Sequence, residues 1–367
     1  MPQKNLFTAF QKAAADQENK DKNMSAYETI ANAILTCNLS NVKTLLNRYK
    51  FDAKSMKYLL QMAMNDSTEE ISKELIKNMQ DFKLGWLLST DGSYHKLAID
   101  KYWPDVLNLM IDRGATFKKY DSLDVNPMHY AAKSASPKFV KILARVVPVD
   151  TYEDEEYTPL MVAAENGNDQ TMDALLSMGA NPEAVQKPRV TIDYLVPSLL
   201  RAFFVVSTMA PIDSVIHKAA YSGNPKTIDV LLKHRNLLDL NASGTDLKTP
   251  LMIATERKHI DMVHHLLKLG VNVNRRTVDK NALHYAVEAN SIEITKLLLE
   301  YGIDQMHNTK KTTALDQLLH ESRKYGIQNP ELIDLLKYAK ANPQKVKSQK
   351  PYYYPGYGPN HDRTRNN

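Results

Sequence analysis

Short amphipathic segments, each two or three helical turns long, follow one another along most of the chain. Between Glu156 and Glu183, apolar residues recur three and four positions apart in two consecutive segments, which predicts two short helices. Thr158 and Pro159 are typical helix-start residues, because the hydroxyl caps a free backbone N–H and proline needs no such partner. A turn at Gly167 follows. Helices this short do not persist alone in water, so neighbours must cover them. The apolar positions are Leu160, Ala163, Ala164, Met172, Leu175 and Leu176.

The same pattern recurs at a nearly constant spacing. An anchor residue starts each unit, and alanine follows three positions later in eight of the nine units. Successive anchors are 30 to 35 residues apart, with a single step of 56 residues. A repeated two-helix unit of this length predicts a solenoid in which each unit contacts only its neighbours. The anchors are Ile30, Leu60, His95, Met128, Leu160, Ile216, Leu251, Leu283 and Leu315.

These units resemble the ankyrin repeat family. The resemblance extends over about residues 25 to 340 and implies an all-α ankyrin-repeat solenoid of stacked helix–turn–helix units with short hairpin loops. The first two units lack the Thr-Pro pair and the glycine-containing turn, so they match by spacing only, and the last unit is also degenerate. The motifs are "TPLMVAAENGN" from Thr158, "TPLMIATERKH" from Thr249, "ALHYAVEANS" from Ala282, "NPMHYAAKSAS" from Asn126 and "VIHKAAYSGN" from Val215.

The pattern divides the chain into five segments. They are a polar N-terminal segment (1–24), repeats (25–182), an apolar insertion (183–212), repeats with a C-terminal cap (213–340) and a basic Tyr-, Pro- and Gly-rich tail (341–367). The first segment has no apolar core of the kind a secretory signal requires. The tail cannot bury a core, so we expect it to be disordered.

The insertion explains the 56-residue step. Asp193, Pro197 and Arg201 interrupt its apolar run, which leaves too few apolar residues to span a membrane. Two interpretations remain open. The insertion packs on the repeats through residues such as Leu199 and Phe203, or it forms a hook for a partner.

Charge and cysteine content indicate the class of partner and the cellular compartment. The net charge is +5, but the tail alone carries five basic residues against one acidic residue. The remaining residues therefore carry a net charge of only +1, too little to bind a polyanion, and we expect no nucleic-acid partner. The single cysteine, Cys37, excludes an intramolecular disulfide and fits a reducing compartment. We therefore expect a cytoplasmic protein, in the cytoplasm of a host cell if it is a secreted bacterial effector.

Catalytic and metal-binding chemistry is weakly represented. Cys37 occupies the position of the turn glycine, which favours a structural role. His129, His217 and His284 each follow an anchor, and the family resemblance implies that they bond within the Thr-Pro-Leu-His turn. His259 and His264 are five positions apart and so do not share a helical face as zinc ligands would. We expect no enzyme activity, no cofactor and no metal.

The resemblance implies that loop tips and first helices line a concave groove that binds a partner. Tip charges of both signs favour another protein with matched polarity, bound by a monomer. Tyr157 and Tyr221 are the strongest candidates, since tyrosine buries a large area at low entropic cost. The candidate binding residues are Asp154, Glu155, Tyr157, Glu165, Asn166, Tyr221, Lys248, Glu256, Arg257, Lys280 and Glu288.

Two classes of function follow. One is an adaptor, scaffold or host-targeting effector that binds another protein through this groove, similar to ankyrin proteins that intracellular bacteria deliver into host cells. The alternative is a cysteine- or histidine-dependent enzyme that uses the repeats as a targeting arm. The space left outside the repeats is far below the size of a catalytic domain, which argues against the enzyme.

Overall fold

The computed structural model describes residues 26–66, 68–79, 93–115, 126–152, 157–186, 213–235, 238–305, 313–325 and 329–342. Within these ranges the chain forms eighteen α-helices in nine consecutive pairs, which are called repeats 1 to 9. The same ranges contain no strand beyond two isolated antiparallel bridges. The predicted all-α architecture of stacked helical hairpins is confirmed.

The chain contacts divide into two compact units, residues 1–134 with 141–148, and residues 135–140 with 149–367. Helices α1 to α7 lie in the first unit, and α8 crosses the boundary. In the first unit α3 packs on α4 and α5, and α4 packs on α2 and α6. These helices are α1 (26–35), α2 (Leu39–Arg48), α3 (Ala53–Asp66), α4 (Glu69–Asn78), α5 (Ser93–Asp100), α6 (Pro104–Asp112), α7 (Pro127–Lys133) and α8 (Pro137–Leu143).

The second unit contains repeats 5 to 9 as two layers. The first helices pack on one another in chain order, and so do the second helices. A short 3₁₀ turn, Thr245–Leu247, precedes α13. The helices are α9 (Pro159–Glu165), α10 (Asp169–Ser177), α11 (Val215–Ser222), α12 (Pro225–His234), α13 (Pro250–Glu256), α14 (Ile260–Lys268), α15 (Ala282–Glu288), α16 (Ile292–Glu300), α17 (Ala314–Tyr325) and α18 (Pro330–Ala341).

The helix starts follow the sequence signals. The Thr158 hydroxyl accepts a hydrogen bond from Met161 N at 3.3 Å, and the Thr249 hydroxyl accepts one from Met252 N at 3.4 Å. Proline follows each threonine at the first helical position. Asn168 occupies the N-cap of α10, but its side chain makes no capping hydrogen bond.

Small buried residues form part of the core in both units. All eight alanines three residues after the anchors are buried, at 6% exposure or less. Small side chains at this position allow close approach of neighbouring helices, where apolar burial stabilises each hairpin. The alanines are Ala33, Ala63, Ala98, Ala131, Ala163, Ala219, Ala254 and Ala286.

Repeats 5 and 6 pack directly on each other although the insertion separates them in sequence. The Asn224 side-chain amide donates to Gly167 O at 2.8 Å, and Lys233 Nζ lies 2.8 Å from Asp173 Oδ1. Residues 187–212 lie outside the described residues. The structure therefore tests neither interpretation of the insertion. The N-terminal segment and nearly all of the tail also lie outside the described residues.

Candidate functional site

In repeats 5 to 8, side chains eight residues apart in sequence lie at the two ends of each first helix. The earlier residue directly precedes the N-cap, and the later one lies in the last turn. Lys248 Nζ contacts both carboxylate oxygens of Glu256 at 2.9 Å, and Lys280 forms an ion pair with Glu288. The first-helix face is defined by the pairs Tyr157 and Glu165, Asp213 and Tyr221, Lys248 and Glu256, and Lys280 and Glu288, with the side chains between them.

The repeat 5 and 6 part of this face is organised by Lys218. Its side chain is 9% exposed, and its Nζ lies 3.7 Å from Glu165 Oε1 and 3.8 Å from Asp213 Oδ2. The same Nζ lies 4.8 Å from the ring centroid of Tyr157, a distance typical of a cation–π contact. Asp213 Oδ1 also accepts a hydrogen bond from Thr245 N at 2.9 Å. A buried ammonium is thus balanced by two carboxylates and an aromatic ring.

Tyr221 and Arg257 form a stacked pair on the same face. The guanidinium carbon of Arg257 lies 3.2 Å from the ring centroid of Tyr221, whose residue is 37% exposed. His259 Nε2 lies 3.0 Å from Tyr221 O, which ties repeat 7 to repeat 6 at this point. The pair therefore presents an aromatic surface held in place by its neighbours, the kind of group that dominates binding energy in protein interfaces.

Between repeats 7 and 8 the face opens into a cavity of about 580 Å³. Tyr285 lies within it and is 5% exposed. Lys248 Nζ lies 5.3 Å and Lys280 Nζ lies 5.4 Å from its ring centroid. The lining residues are Asp246, Leu247, Lys248, Glu256, Thr277, Val278, Asp279, Lys280 and Tyr285.

The local environment shifts the pKa of two side chains that line the cavity, Lys248 and Tyr285. Partial burial disfavours the charged form of Lys248, but the hydrogen bond and charge of Glu256 outweigh burial and raise the pKa of the lysine. Burial raises the pKa of Tyr285, so its hydroxyl stays protonated at neutral pH. At neutral pH the cavity therefore presents a charged Lys248 and a neutral Tyr285 phenol.

The structure describes most of the candidate binding residues on this face. Tyr157, Glu165, Tyr221, Lys248, Glu256, Arg257, Lys280 and Glu288 all belong to it. Asn166 is exposed, but its side-chain amide donates to Val162 O of its own helix at 2.8 Å. Asp154 and Glu155 lie outside the described residues.

Two central residues were not among the candidates. Lys218 and Tyr285 both follow the motif histidine, as the fourth residue of a first helix, and both lie beneath the charged pairs. The sequence did carry a signal, because a large side chain directly follows the histidine in both units. Their importance depends on contacts with neighbouring repeats, which periodicity alone does not show.

The motif histidines serve as caps. His217 Nδ1 lies 3.1 Å from Ser214 N, which donates to it, and Nε2 lies 3.0 Å from Ala242 O. His284 Nδ1 lies 2.6 Å from Asn281 Oδ1 in the corresponding turn. Burial lowers the pKa of His217, so it remains neutral at physiological pH. The predicted structural role of these two histidines is confirmed.

Other chemistry is sparse in the described ranges. Cys37 is exposed and lies at a turn with φ 54°, where other repeats have glycine. No cluster of three or more His, Cys, Asp or Glu side chains suited to a metal ion occurs among the described residues. None of the described helices has both the length and the apolar character needed to cross a membrane.

Comparisons with known proteins agree with this architecture. A family model described as ankyrin repeats (3 copies) matches residues 95–186, 198–277 and 216–309, more than half of the chain. The matches begin after the two degenerate repeats. The crystal structure of the human ASB11 ankyrin repeat domain superposes with a TM-score of 0.52 and 22% identity, covering 66% of this chain and 96% of that chain.

Curated relatives share the repeats over part of their length. Human transient receptor potential cation channel subfamily A member 1 is 28% identical over 211 residues, covering 54% of this chain and 17% of the relative. Mouse ankyrin repeat and SOCS box protein 11 is 31% identical over 110 residues, covering 30% of this chain and 33% of the relative. The chain thus spans one third or less of the length of these relatives. With its helical hairpins, capping motifs and matches taken together, the chain belongs to the ankyrin repeat family, whose repeats are generally protein–protein interaction modules.

Proposed function

We propose that the first-helix face of repeats 5 to 8 binds another protein, and that the chain acts as an adaptor or scaffold or as a host-targeting effector. The observation that carries this proposal is the exposed Tyr221–Arg257 stack, on the same first-helix face as a cavity of about 580 Å³ between repeats 7 and 8. Tyrosine and arginine are enriched among the residues that contribute most to protein interfaces. A ring already held by its neighbours also loses little conformational entropy on binding.

The enzyme alternative receives no support from the described side chains. His217 and His284 are buried and bonded within their own turns, so neither presents a nitrogen to a substrate. Cys37 is exposed at a turn and belongs to the first unit, whereas these two histidines belong to the second. We propose a non-enzymatic, monomeric protein of the cytoplasm, which light scattering and cell fractionation would check.

Affinity capture with matched variants tests the proposal. The purified chain is used to capture proteins from a lysate, in parallel with Tyr221→Ala, Arg257→Ala and the control Tyr338→Ala. Tyr338 lies on second helix α18 and is 56% exposed, so its loss removes an exposed tyrosine outside the first-helix face.

We expect the Tyr221 and Arg257 variants to weaken capture of the same protein by roughly tenfold or more, as loss of an interface hot spot does. The Tyr338 variant should capture it like the native chain. Loss with Tyr338→Ala and full retention with both first-helix variants would place binding elsewhere and reject the proposal.

A further inference from the structure

Two lysines of the first-helix face are less exposed than a carboxylate with which each pairs, whereas Lys280, at 35%, is about as exposed as Glu288, at 31%. The Lys218 side chain is 9% exposed and that of Glu165 35%. For Lys248 and Glu256 the values are 21% and 45%. In both pairs the surface that a partner meets is therefore the carboxylate.

The tyrosines explain this arrangement. Lys218 Nζ lies over Tyr157, and Lys248 and Lys280 both lie over Tyr285, at 4.8 to 5.4 Å from the ring centroids. The negative face of an aromatic ring attracts an ammonium, so each lysine is drawn down onto a ring. Glu165 and Glu256, at the ends of their first helices, are left more exposed than the lysines with which they pair.

The described part of this face is also acidic in total, although the whole chain carries +5. Its six carboxylates outnumber its four basic groups, which gives a net charge of −2. The acidic residues are Glu165, Asp213, Asp246, Glu256, Asp279 and Glu288, and the basic residues are Lys218, Lys248, Arg257 and Lys280.

Resting on the protein-binding function proposed above, we propose that the partner segment is basic and extended, and that its Arg or Lys side chains bind Glu165, Glu256 and Glu288. One such side chain enters the cavity between repeats 7 and 8, where its aliphatic stem packs on Val278, which is 74% exposed, and its charge meets Glu256.

The existing hydrogen bonds leave room for this cation. Each carboxylate oxygen accepts up to two hydrogen bonds, and Lys248 uses one position on each oxygen of Glu256. On Glu288, both Lys280 and Gln317 contact the same oxygen, Oε1. A basic partner is therefore favoured by the net charge of the face.

The spacing sets the length of a suitable probe. The three carboxylates belong to repeats 5, 7 and 8, and helices pack about 8–10 Å apart, so the strip is roughly 30 Å long. An extended chain rises about 3.3 Å per residue, so about ten residues span the strip.

Fluorescence anisotropy at low salt with two synthetic decapeptides tests the proposal. One peptide carries three arginines in a Gly/Ser background, and the other carries three glutamates at the same positions. We expect the arginine peptide to bind more tightly. Glu256→Gln and Glu288→Gln should each weaken its binding about fivefold, a typical effect of losing one charge-assisted contact. The control Glu300→Gln, at the exposed end of second helix α16, should leave binding unchanged.

Lys248→Gln separates a direct role of Glu256 from a structural one. It frees the carboxylate from its intramolecular partner and should tighten binding of the arginine peptide about threefold. Tighter binding of the glutamate peptide, lost with Lys248→Gln, would overturn the basic-partner inference while leaving protein binding by this face intact. Equal weakening by Glu256→Gln and Glu300→Gln would also overturn it, because only non-specific charge would then be acting.

Discussion

At the scale of single residues, positions equivalent in the repeat carry different side chains, and those substitutions have physical consequences. The anchor of repeat 3 is His95, where four later repeats have leucine. His95 is 5% exposed, and burial, with a smaller contribution from the charge of Lys96, lowers its pKa to about 4. The folded protein therefore holds this imidazole neutral at pH values where the unfolded chain protonates it.

This residue makes stability depend on pH. The folded pKa is depressed, so the unfolded state binds more protons below about pH 6.5, and stability falls as the pH decreases from about 6.5 to 4. We expect His95→Leu to stabilise the protein by about 2 kcal/mol more at pH 5 than at pH 7. Urea unfolding at the two pH values measures this difference. As a reciprocal control, Leu160→His should destabilise the protein more at pH 5 than at pH 7. An identical effect of His95→Leu at both pH values would contradict the assignment.

At the scale of elements, the turn between the two helices of a repeat requires a left-handed backbone. Gly167 and Gly223 have φ of 70° and 77° there, and Cys37, Lys258 and Asn290 adopt φ of 51° to 60° at the equivalent position. The position of Cys37 was predicted from its alignment with the turn glycine. The energetic cost of the left-handed conformation was not predicted, because the packing of the two helices imposes the backbone conformation of the turn that joins them.

Replacement of Lys258 by glycine tests the energetic cost of the left-handed turn. A residue with a Cβ is destabilised by about 1–2 kcal/mol in the left-handed region, and glycine avoids this strain. Glycine also has greater freedom in the unfolded chain, which offsets part of the gain. We expect Lys258→Gly to raise the free energy of unfolding by about 0.5–1 kcal/mol, measured by urea denaturation. Asn290→Gly should change stability less, because asparagine tolerates this conformation. Destabilisation by Lys258→Gly would show that the lysine side chain makes a compensating contact.

At the scale of the whole molecule, the stack continues across the insertion. Repeats 5 and 6 pack directly, and the two ends of the insertion meet, with Gln186 N donating to Asp213 O at 2.8 Å and an antiparallel bridge joining Val185 to Ser214. These contacts are those of a hairpin closed by a long connection. A connection much shorter than residues 187–212 is therefore sufficient to join repeat 5 to repeat 6.

Replacing residues 187–212 with Asn-Gly tests this conclusion. The exchange removes 26 residues and adds two, which shortens the 56-residue step to 32 residues, the spacing of neighbouring repeats. Asn-Gly favours the two-residue turn of a hairpin, so we expect a folded, cooperatively unfolding protein by circular dichroism. Failure to fold would contradict the prediction. Lower stability of the folded variant would favour an insertion that packs on the repeats, and unchanged stability with loss of partner capture would favour a partner hook.

The sequence alone determined the repeat, its two-helix content, the cap at Thr158 and the recurring alanines, because helix signals and periodicity are local. It also placed Tyr221 and Glu256 among the candidates, since both occupy repeated positions. Only the tertiary structure decided that Lys218 is enclosed by Tyr157, Glu165 and Asp213, that Lys248 and Lys280 converge on Tyr285, and that carboxylates outnumber basic groups on this face. The reason is that these contacts join residues of different repeats, and the way one repeat packs on the next sets which side chains meet and which remain exposed.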